Sequence, residues 1–270
     1  MVSLVHAVLT LEQMLTTGGG WQDQVGGLVG LGSPAQVGRS APALPLRVTV
    51  DSVPLGDAFR EALEARLVLI FTGQPRLAKH LLVEVLRRWW SSPAPTSAAA
   101  ASGSSTSASP PASASAPAPT SSSVASRGGV GRAMAALVAN AEACAASLAA
   151  GDLKGLGRCL ADYHELKRTM VGMPAYEPPY IANLAASLRP RSHGLALCGA
   201  GGGGFLAVLL KDPYDDRATD AAAATSSDSS SGSGSRSGVN WRAVNDAAAQ
   251  AGGSVHRAGL VSTGLVIDMS

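Results

Sequence analysis

Two apolar runs of strand length, His193–Cys198 and Phe205–Leu210, are joined by a loop that is almost all glycine: Gly199, Ala200, then Gly201, Gly202, Gly203 and Gly204. Runs this short and continuous fit buried strands. A simple hairpin needs fewer glycines. A loop with almost no side chains is suited to lying against a ligand or another stretch of backbone. The chain is therefore expected to bring two central strands together around a point of close approach.

A second glycine run, TTGGGWQDQVGG, spans Thr16 to Gly27. Gly18, Gly19 and Gly20 open backbone conformations closed to residues with a Cβ, and bare N–H groups in such a turn can approach phosphate oxygens. Asp23 follows three residues later, between Gln22 and Gln24. An anion-binding turn beside one carboxylate is what transfer of a phosphoryl group to a hydroxyl requires, because the hydroxyl needs a base and the phosphates need dipoles. From the residues alone, Asp23 reads equally well as a helix N-cap.

Taken together, GGGWQDQ and GAGGGGF (Gly199 to Phe205) resemble the second and third motifs of the GHMP small-molecule kinases, in family order. The wording LEQMLTTGGGWQDQVGG with FTGQPRLAKHLL (Phe71 to Leu82) looks most like the kinase part of L-fucokinases, some of which are fused to a fucose-1-phosphate guanylyltransferase. The resemblance covers residues 1–90 and 129–211, and 239–268 more loosely. It implies that Asp23 is the catalytic base and that Gly18, Gly19, Gly20, Gly199, Gly201, Gly202, Gly203 and Gly204 belong to the cofactor and substrate loops. It also implies a role for Glu12, which stands eleven residues before Asp23 on an otherwise apolar helical stripe. In the mevalonate-kinase branch the Mg²⁺-binding Glu has that separation, so Glu12 is the candidate metal ligand. The implied cofactors are ATP and Mg²⁺. The family's first motif, a Pro-x-x-x-Gly-Leu-Gly-Ser-Ser loop that cradles the nucleotide phosphates, has no counterpart in Met1–Thr10. The expectation is a C-terminal part of a fucokinase, inactive when isolated, whose partners are a missing N-terminal kinase segment or a fused nucleotidyltransferase.

Composition narrows the function classes. The chain has 270 residues and a formal net charge of +2, from 21 basic and 19 acidic residues. No Lys/Arg cluster stands out, and aromatics are only 4%, so neither a nucleic-acid surface nor a base-stacking platform is expected. Cys144, Cys159 and Cys198 are scattered and odd in number, which allows neither a disulfide framework nor a zinc spacing; they read as small buried hydrophobes in a reducing compartment. Met1–Leu15 lacks a basic leader region, and the longest apolar run is broken by glycines. A cytoplasmic protein with no membrane partner is expected.

Periodicity predicts helices over Val2–Leu15, Arg132–Ala150, the segment after Asp152, Tyr176–Leu188 and Trp241–Ala251, with one more after Pro75. Strands are expected over Leu44–Val50, Leu67–Phe71 and the two runs around the glycine loop, with a closing strand or hairpin in Ser254–His256 and Leu260–Asp268. Strands and helices alternate without a repeated βαβ period, which fits an antiparallel sheet with helices packed on it. The resulting expectation is an α+β chain: the end of a GHMP-kinase N-terminal domain over 1–45, then a ferredoxin-like C-terminal domain over 46–90 and 129–270, with an antiparallel sheet and helices on one face. Stretches 91–126 (Ser/Ala/Pro-rich) and 219–238 (Ser/Gly-rich) cannot bury a core and are expected to be disordered inserts.

Several side chains carry a second reading. Trp21 suits a sugar face but more readily plugs a core; His193 reads as structural and His164 as a surface histidine. Arg76 and Lys79 suit phosphate contacts or a solvated helix face equally. The expected activity is ATP-dependent phosphorylation of the anomeric hydroxyl of L-fucose to fucose 1-phosphate. Two alternatives stay open: a related heptose-phosphate kinase, and a non-catalytic remnant that binds nucleotide, sugar or a partner.

Overall fold

The computed structural model describes residues 2–14, 20–40, 47–75, 78–91, 128–214 and 241–263. The expected inserts lie outside these, apart from Ser91, as do Gly18, Gly19 and Arg76.

The chain opens with helix α1 (Val2–Met14), the short helix α2 (Gln22–Leu28), and a hairpin of β1 (Ala35–Ser40) and β2 (Val48–Val53). The hairpin is antiparallel, Ala35 opposite Val53 and Ser40 opposite Val48, and it straddles the boundary expected between 45 and 46. Val5, Val25, Val29 and Val48 form a small core there, with Trp21 packed against it. Val5 of the expected apolar stripe is therefore covered, while Leu4, Leu11 and Met14 of α1 are exposed.

Helix α3 (Asp57–Glu64) leads into β3 (Leu67–Phe71), the central strand read from its continuous apolar run. Then come α4 (Ala78–Ser91), the long antiparallel pair α5 (Gly128–Ala149) and α6 (Leu153–Val171), and α7 (Pro179–Leu188). A single 3₁₀ turn (Arg189–Arg191) enters β4 (Ser192–Leu197), which is followed by β5 (Phe205–Leu210), α8 (Trp241–Gln250) and β6 (Ser254–Arg257). The four-stranded sheet has the order β4-β5-β3-β6 with every neighbouring pair antiparallel. From β3 onward the described residues follow the β-α-β-β-α-β plan of a ferredoxin-like domain, with four helices among the described residues of the first crossover.

The main core lies on one face of this sheet. Val68 and Ile70 of β3, Leu195 and Leu197 of β4, and Leu206, Val208 and Leu210 of β5 alternate inward against Leu81, Val171, Ile181, Leu184, Leu188, Val244 and Ala248. Each side chain of this kind stabilises by about 1.5–3 kcal/mol when fully buried. The other face is also closed near its edge, where Leu209 meets Leu63 of α3 and Leu156 of α6.

Local chemistry explains most boundaries. Gly151 ends α5 at φ +69°, with its N–H and that of Asp152 returning to the carbonyls of Leu148 and Ser147. Asp152 occupies the N-cap position of α6, but its side chain makes no capping bond and pairs with Arg158. The helix expected from Tyr176 begins only at Pro179. A proline disfavours helical geometry in the residue before it, so Pro178 holds Glu177 out of the helix and Pro179 takes its first position. Of the strand expected over Leu44–Val50, residues 44–46 lie outside the described residues and Val48–Val50 belong to β2, which runs on to Val53; of the closing segment only Ser254–Arg257 forms a strand among the described residues.

Candidate active site

Asp23 is the second residue of α2 and is exposed. The N-cap position belongs to Trp21, which makes no side-chain cap bond, so the N-cap reading of Asp23 does not hold. Trp21 acts as the plug: its ring lies over Gly38 of β1, where an added Cβ would come within 2.4 Å of Cζ3. Gly20, the one described member of its glycine triplet, is exposed just ahead of the helix.

The residue after Asp23 turns inward. Gln24 is buried and donates through Nε2 to the Glu12 carboxylate of α1. Its own Oε1 is buried without a partner. Glu12 and Asp23 therefore sit on successive helices tied by one amide. Among the described residues no group of three or more His, Cys, Asp and Glu side chains gathers as a ready metal cluster.

Tyr163 lies on α6. Burial pushes its hydroxyl pKa up, and Cys198 and then Asp23 push it further. Cys198 is the first residue after β4 and leads directly into the glycine loop. The catalytic candidate and the first residue of the loop thus both act electrostatically on one phenol, although 175 positions separate Asp23 from Cys198. Cys198 itself is exposed, which corrects its reading as a buried hydrophobe; Cys159 is buried, and half-buried Cys144 has its thiol pushed up to about 11 by desolvation.

The loop connects β4 to β5 and folds back onto protein. The Cys198 N–H donates to the Phe205 carbonyl at 2.8 Å, closing the hairpin. Beyond it, Gly199, Gly201, Gly202 and Gly204 all have positive φ, between +66° and +93°. Gly201, Gly202 and Gly203 are buried. The N–H of Gly202 donates to the Tyr176 carbonyl, and that of Gly204 to the Gln74 carbonyl. The Gly204 carbonyl accepts from both the N–H and the hydroxyl of Thr72.

Beneath the loop lies a polar cluster that sequence reasoning missed. His164 is 1% exposed, not a surface residue. Its Nε2 is 3.1 Å from Glu177 Oε1 and its Nδ1 is 3.3 Å from the Tyr176 hydroxyl. The other Glu177 oxygen pairs with Arg168 Nε at 3.2 Å. Burial lowers the His164 pKa, with Glu177 opposing it. The only sequence signal is indirect: a glycine loop needs a large neighbour to lie on, and Tyr176-Glu177 precedes a Pro-Pro pair that must leave a non-helical turn.

Elsewhere, His193 is half-buried with its Cβ and carbonyl against Gly157, in keeping with a structural role. Lys79 falls in the first turn of α4. Two cavities flank α2. One, of about 360 Å³, is lined by Val5, Val25, Val29, Leu31, Val48, Thr49 and Val50. The other, of about 250 Å³, is lined in part by Trp21, Gln22, Gly38 and Val261–Thr263. Asp23 lines neither.

Residues 141–227, from the middle of α5 past the end of β5, match the family model of the GHMP kinases C-terminal domain. This part of the chain is therefore similar to the C-terminal domain of the GHMP kinases, and the resemblance expected from the second glycine run has that support. Over 87 residues, 32% of the chain, the sequence is 40% identical to the bifunctional fucokinase/GDP-fucose pyrophosphorylase of Arabidopsis thaliana. The matched stretch is 8% of that relative's length. Among solved structures, the L. major mevalonate kinase in complex with R-mevalonate aligns with a TM-score of 0.39 at 15% identity, covering 65% of this chain and 40% of that one.

Proposed function

We propose that this chain contributes the C-terminal domain and the catalytic base of an ATP-dependent sugar kinase acting on the anomeric hydroxyl of L-fucose. The kinase class is supported by the family match over residues 141–227, and the sugar by the 40% identity to a fucokinase-containing relative. The observation that supports the site is that Asp23 and Cys198 both act electrostatically on the Tyr163 phenol. An exposed carboxylate together with a glycine loop is what transfer to a hydroxyl requires.

In the proposed reaction the anomeric oxygen attacks the γ-phosphorus of ATP. Its proton passes to the Asp23 carboxylate as the O–P bond forms, the bond between γ-phosphorus and the bridging oxygen breaks, and ADP leaves. A carboxylate is a weak base, but the hydroxyl becomes acidic only as it bonds to phosphorus; a positioned base contributes about 10²–10⁴-fold. Alignment and charge neutralisation supply the rest. The division into an N-terminal-domain end over 1–45 and a C-terminal domain over 46–90 and 129–270, and a cytoplasmic setting, belong to the same proposal. No helix among the described residues is long and apolar enough to cross a membrane.

The donor set near Asp23 fits a hard cation. Glu12 brings an anionic oxygen, and the Gln24 Oε1 beside it is a buried carbonyl oxygen with no protein partner. Mg²⁺ favours one or two carboxylates completed by substrate phosphates and water, and when bound it would neutralise charge on the transferring phosphoryl group. Glu12 would hold it and Gln24 would orient Glu12. Glu12→Gln is expected to raise the Mg²⁺ concentration for half-maximal rate at least about tenfold, from loss of one anionic ligand. An unchanged Mg²⁺ titration returns Glu12 to a purely helical role.

The substrate is tested by coupled ADP release from the full-length enzyme across L-fucose, arabinose, galactose and heptose phosphates. The expected result is the highest kcat/KM on L-fucose. A preference for a heptose phosphate replaces the substrate, and no turnover on any sugar favours a non-catalytic binding domain.

A further inference from the structure

We infer that His164 is a positioning residue for the glycine loop, acting through Tyr176 to fix the place of Gly201 and Gly202. The inference rests on the reading of this loop as part of the kinase site.

A loop of glycines has no side chains with which to choose a shape, and positive φ at four of its residues shows that it departs from ordinary strand or helix geometry. Its shape must be imposed by what it touches. Its exit leg is held by main chain, since Gly204 bonds both ways with the Thr72–Gln74 turn after β3. Its middle is held by one residue. The Tyr176 carbonyl accepts the Gly202 N–H at 2.6 Å, and a Cβ added to Gly201 would lie 2.2 Å from Tyr176 Cδ2. The loop middle therefore follows wherever Tyr176 is placed.

Tyr176 lies in an irregular turn between α6 and α7, so no helix or strand ladder fixes it. Its ring is fully buried, and a buried hydroxyl without a partner is costly. His164 supplies that partner. With the phenol donating to Nδ1, the neutral imidazole carries its proton on Nε2 and donates it to Glu177, whose second oxygen lies in an ion pair with Arg168. Glu165 and Arg189 complete the charged surroundings, paired with each other at 3.5 Å. Burial disfavours the charged imidazole, which keeps Nδ1 free to accept. The imidazole and phenol rings also stack at a tilt, centroids 5.2 Å apart.

The position on α6 gives this cluster its functional sense. The preceding residue, Tyr163, feels the charges of Asp23 and Cys198, while His164 meets Tyr176 directly.

Site-resolved amide exchange tests this in the full chain with three variants. Tyr176→Phe removes the donor. His164→Gln keeps an amide near the Nε2 position for Glu177 but removes the Nδ1 acceptor. His164→Asn keeps an acceptor near Nδ1 but loses the link to Glu177. Exchange at Gly202 should quicken about tenfold in Tyr176→Phe and His164→Gln, the scale of one lost buried hydrogen bond, and stay near the parent in His164→Asn. Gly204, held by Gln74, should keep its protection throughout. An unchanged Gly202 in Tyr176→Phe, a joint rise at Gly202 and Gly204, or equal behaviour of the Gln and Asn variants overturns the inference. Exchange reports the loop whether or not a sugar is phosphorylated, so failure of the kinase reading is seen separately in the ADP assay.

Discussion

Asp23→Asn is expected to lower kcat of the full-length enzyme by at least about 10²-fold while leaving sugar and nucleotide affinity close to those of the parent. The amide has the shape of the carboxylate and can still hydrogen-bond a hydroxyl, but it cannot take the proton. The location of Asp23 makes the substitution clean. The side chain is exposed, is not the N-cap of α2 and lines neither neighbouring cavity, so the charge it loses is worth only the modest first-turn interaction with the helix N-terminus. Binding can be followed by equilibrium titration and turnover by ADP release. A variant that keeps more than about a tenth of the parental kcat would place Asp23 among groups that orient the substrate, since a proton-accepting base is worth more than that. The flanking Gln24 offers a contrast. It is buried against Glu12, and replacing it disturbs packing as well as chemistry.

The strands of the four-stranded sheet were legible because their apolar runs are continuous. Leu67–Phe71 and Phe205–Leu210 are strands over the residues expected, and His193–Cys198 is displaced by only one residue. A strand buried in the middle of a sheet announces itself by composition alone. Elements whose stability comes from one neighbour were not legible. Strand β1 reads AQVGRS, polar and glycine-containing, and its Gly38 makes sense only once the Trp21 ring is seen lying on it. Helix α3 reads DAFREALE, largely charged, and buries only Leu63. The site divides in the same way. Asp23 and the glycine loop carry motif signatures, so both could be proposed from the sequence. His164 could not, because its partners come from a turn whose course is set by Pro178 and Pro179, and nothing on its own helix shows that Glu177 will meet it. A histidine beside a tyrosine on an amphipathic helix is compatible with either face. Non-local pairing, not local pattern, decided its burial.

The largest expected effect on stability comes from a glycine with ordinary dihedrals. A Cβ built on Gly194 of β4 would lie 1.8 Å from the carbonyl oxygen of Gly157 in α6 and 2.6 Å from its carbon. A partner of this kind cannot rotate away, because it is helix backbone. The strand cannot retreat either, since Gly194 is paired with Leu209 of β5 in the sheet. Gly194→Ala must therefore push α6 off the sheet, and with it Leu156 and Cys159, which are buried along the same helix. Overpacking of a core by one methyl costs about 1–3 kcal/mol, and a backbone clash belongs at the upper end. At about 2–4 °C per kcal/mol for a domain of this size, Tm should fall by about 6–12 °C. Gly27→Ala is the matched control: the residue lies in α2, nothing stands within 4 Å of its added Cβ, and the change should be neutral or stabilising by up to about 1 kcal/mol. An unchanged Tm in Gly194→Ala would mean that α6 does not approach β4 this closely. The consequence would reach the loop, because the Gly157–Gly194 contact seats α6 so that His164, two turns further on, arrives beside Tyr176. Relieving that contact without loosening the glycine loop would separate the packing of α6 from the placement of its polar residues; with both gone, loss of stability and loss of turnover should appear together.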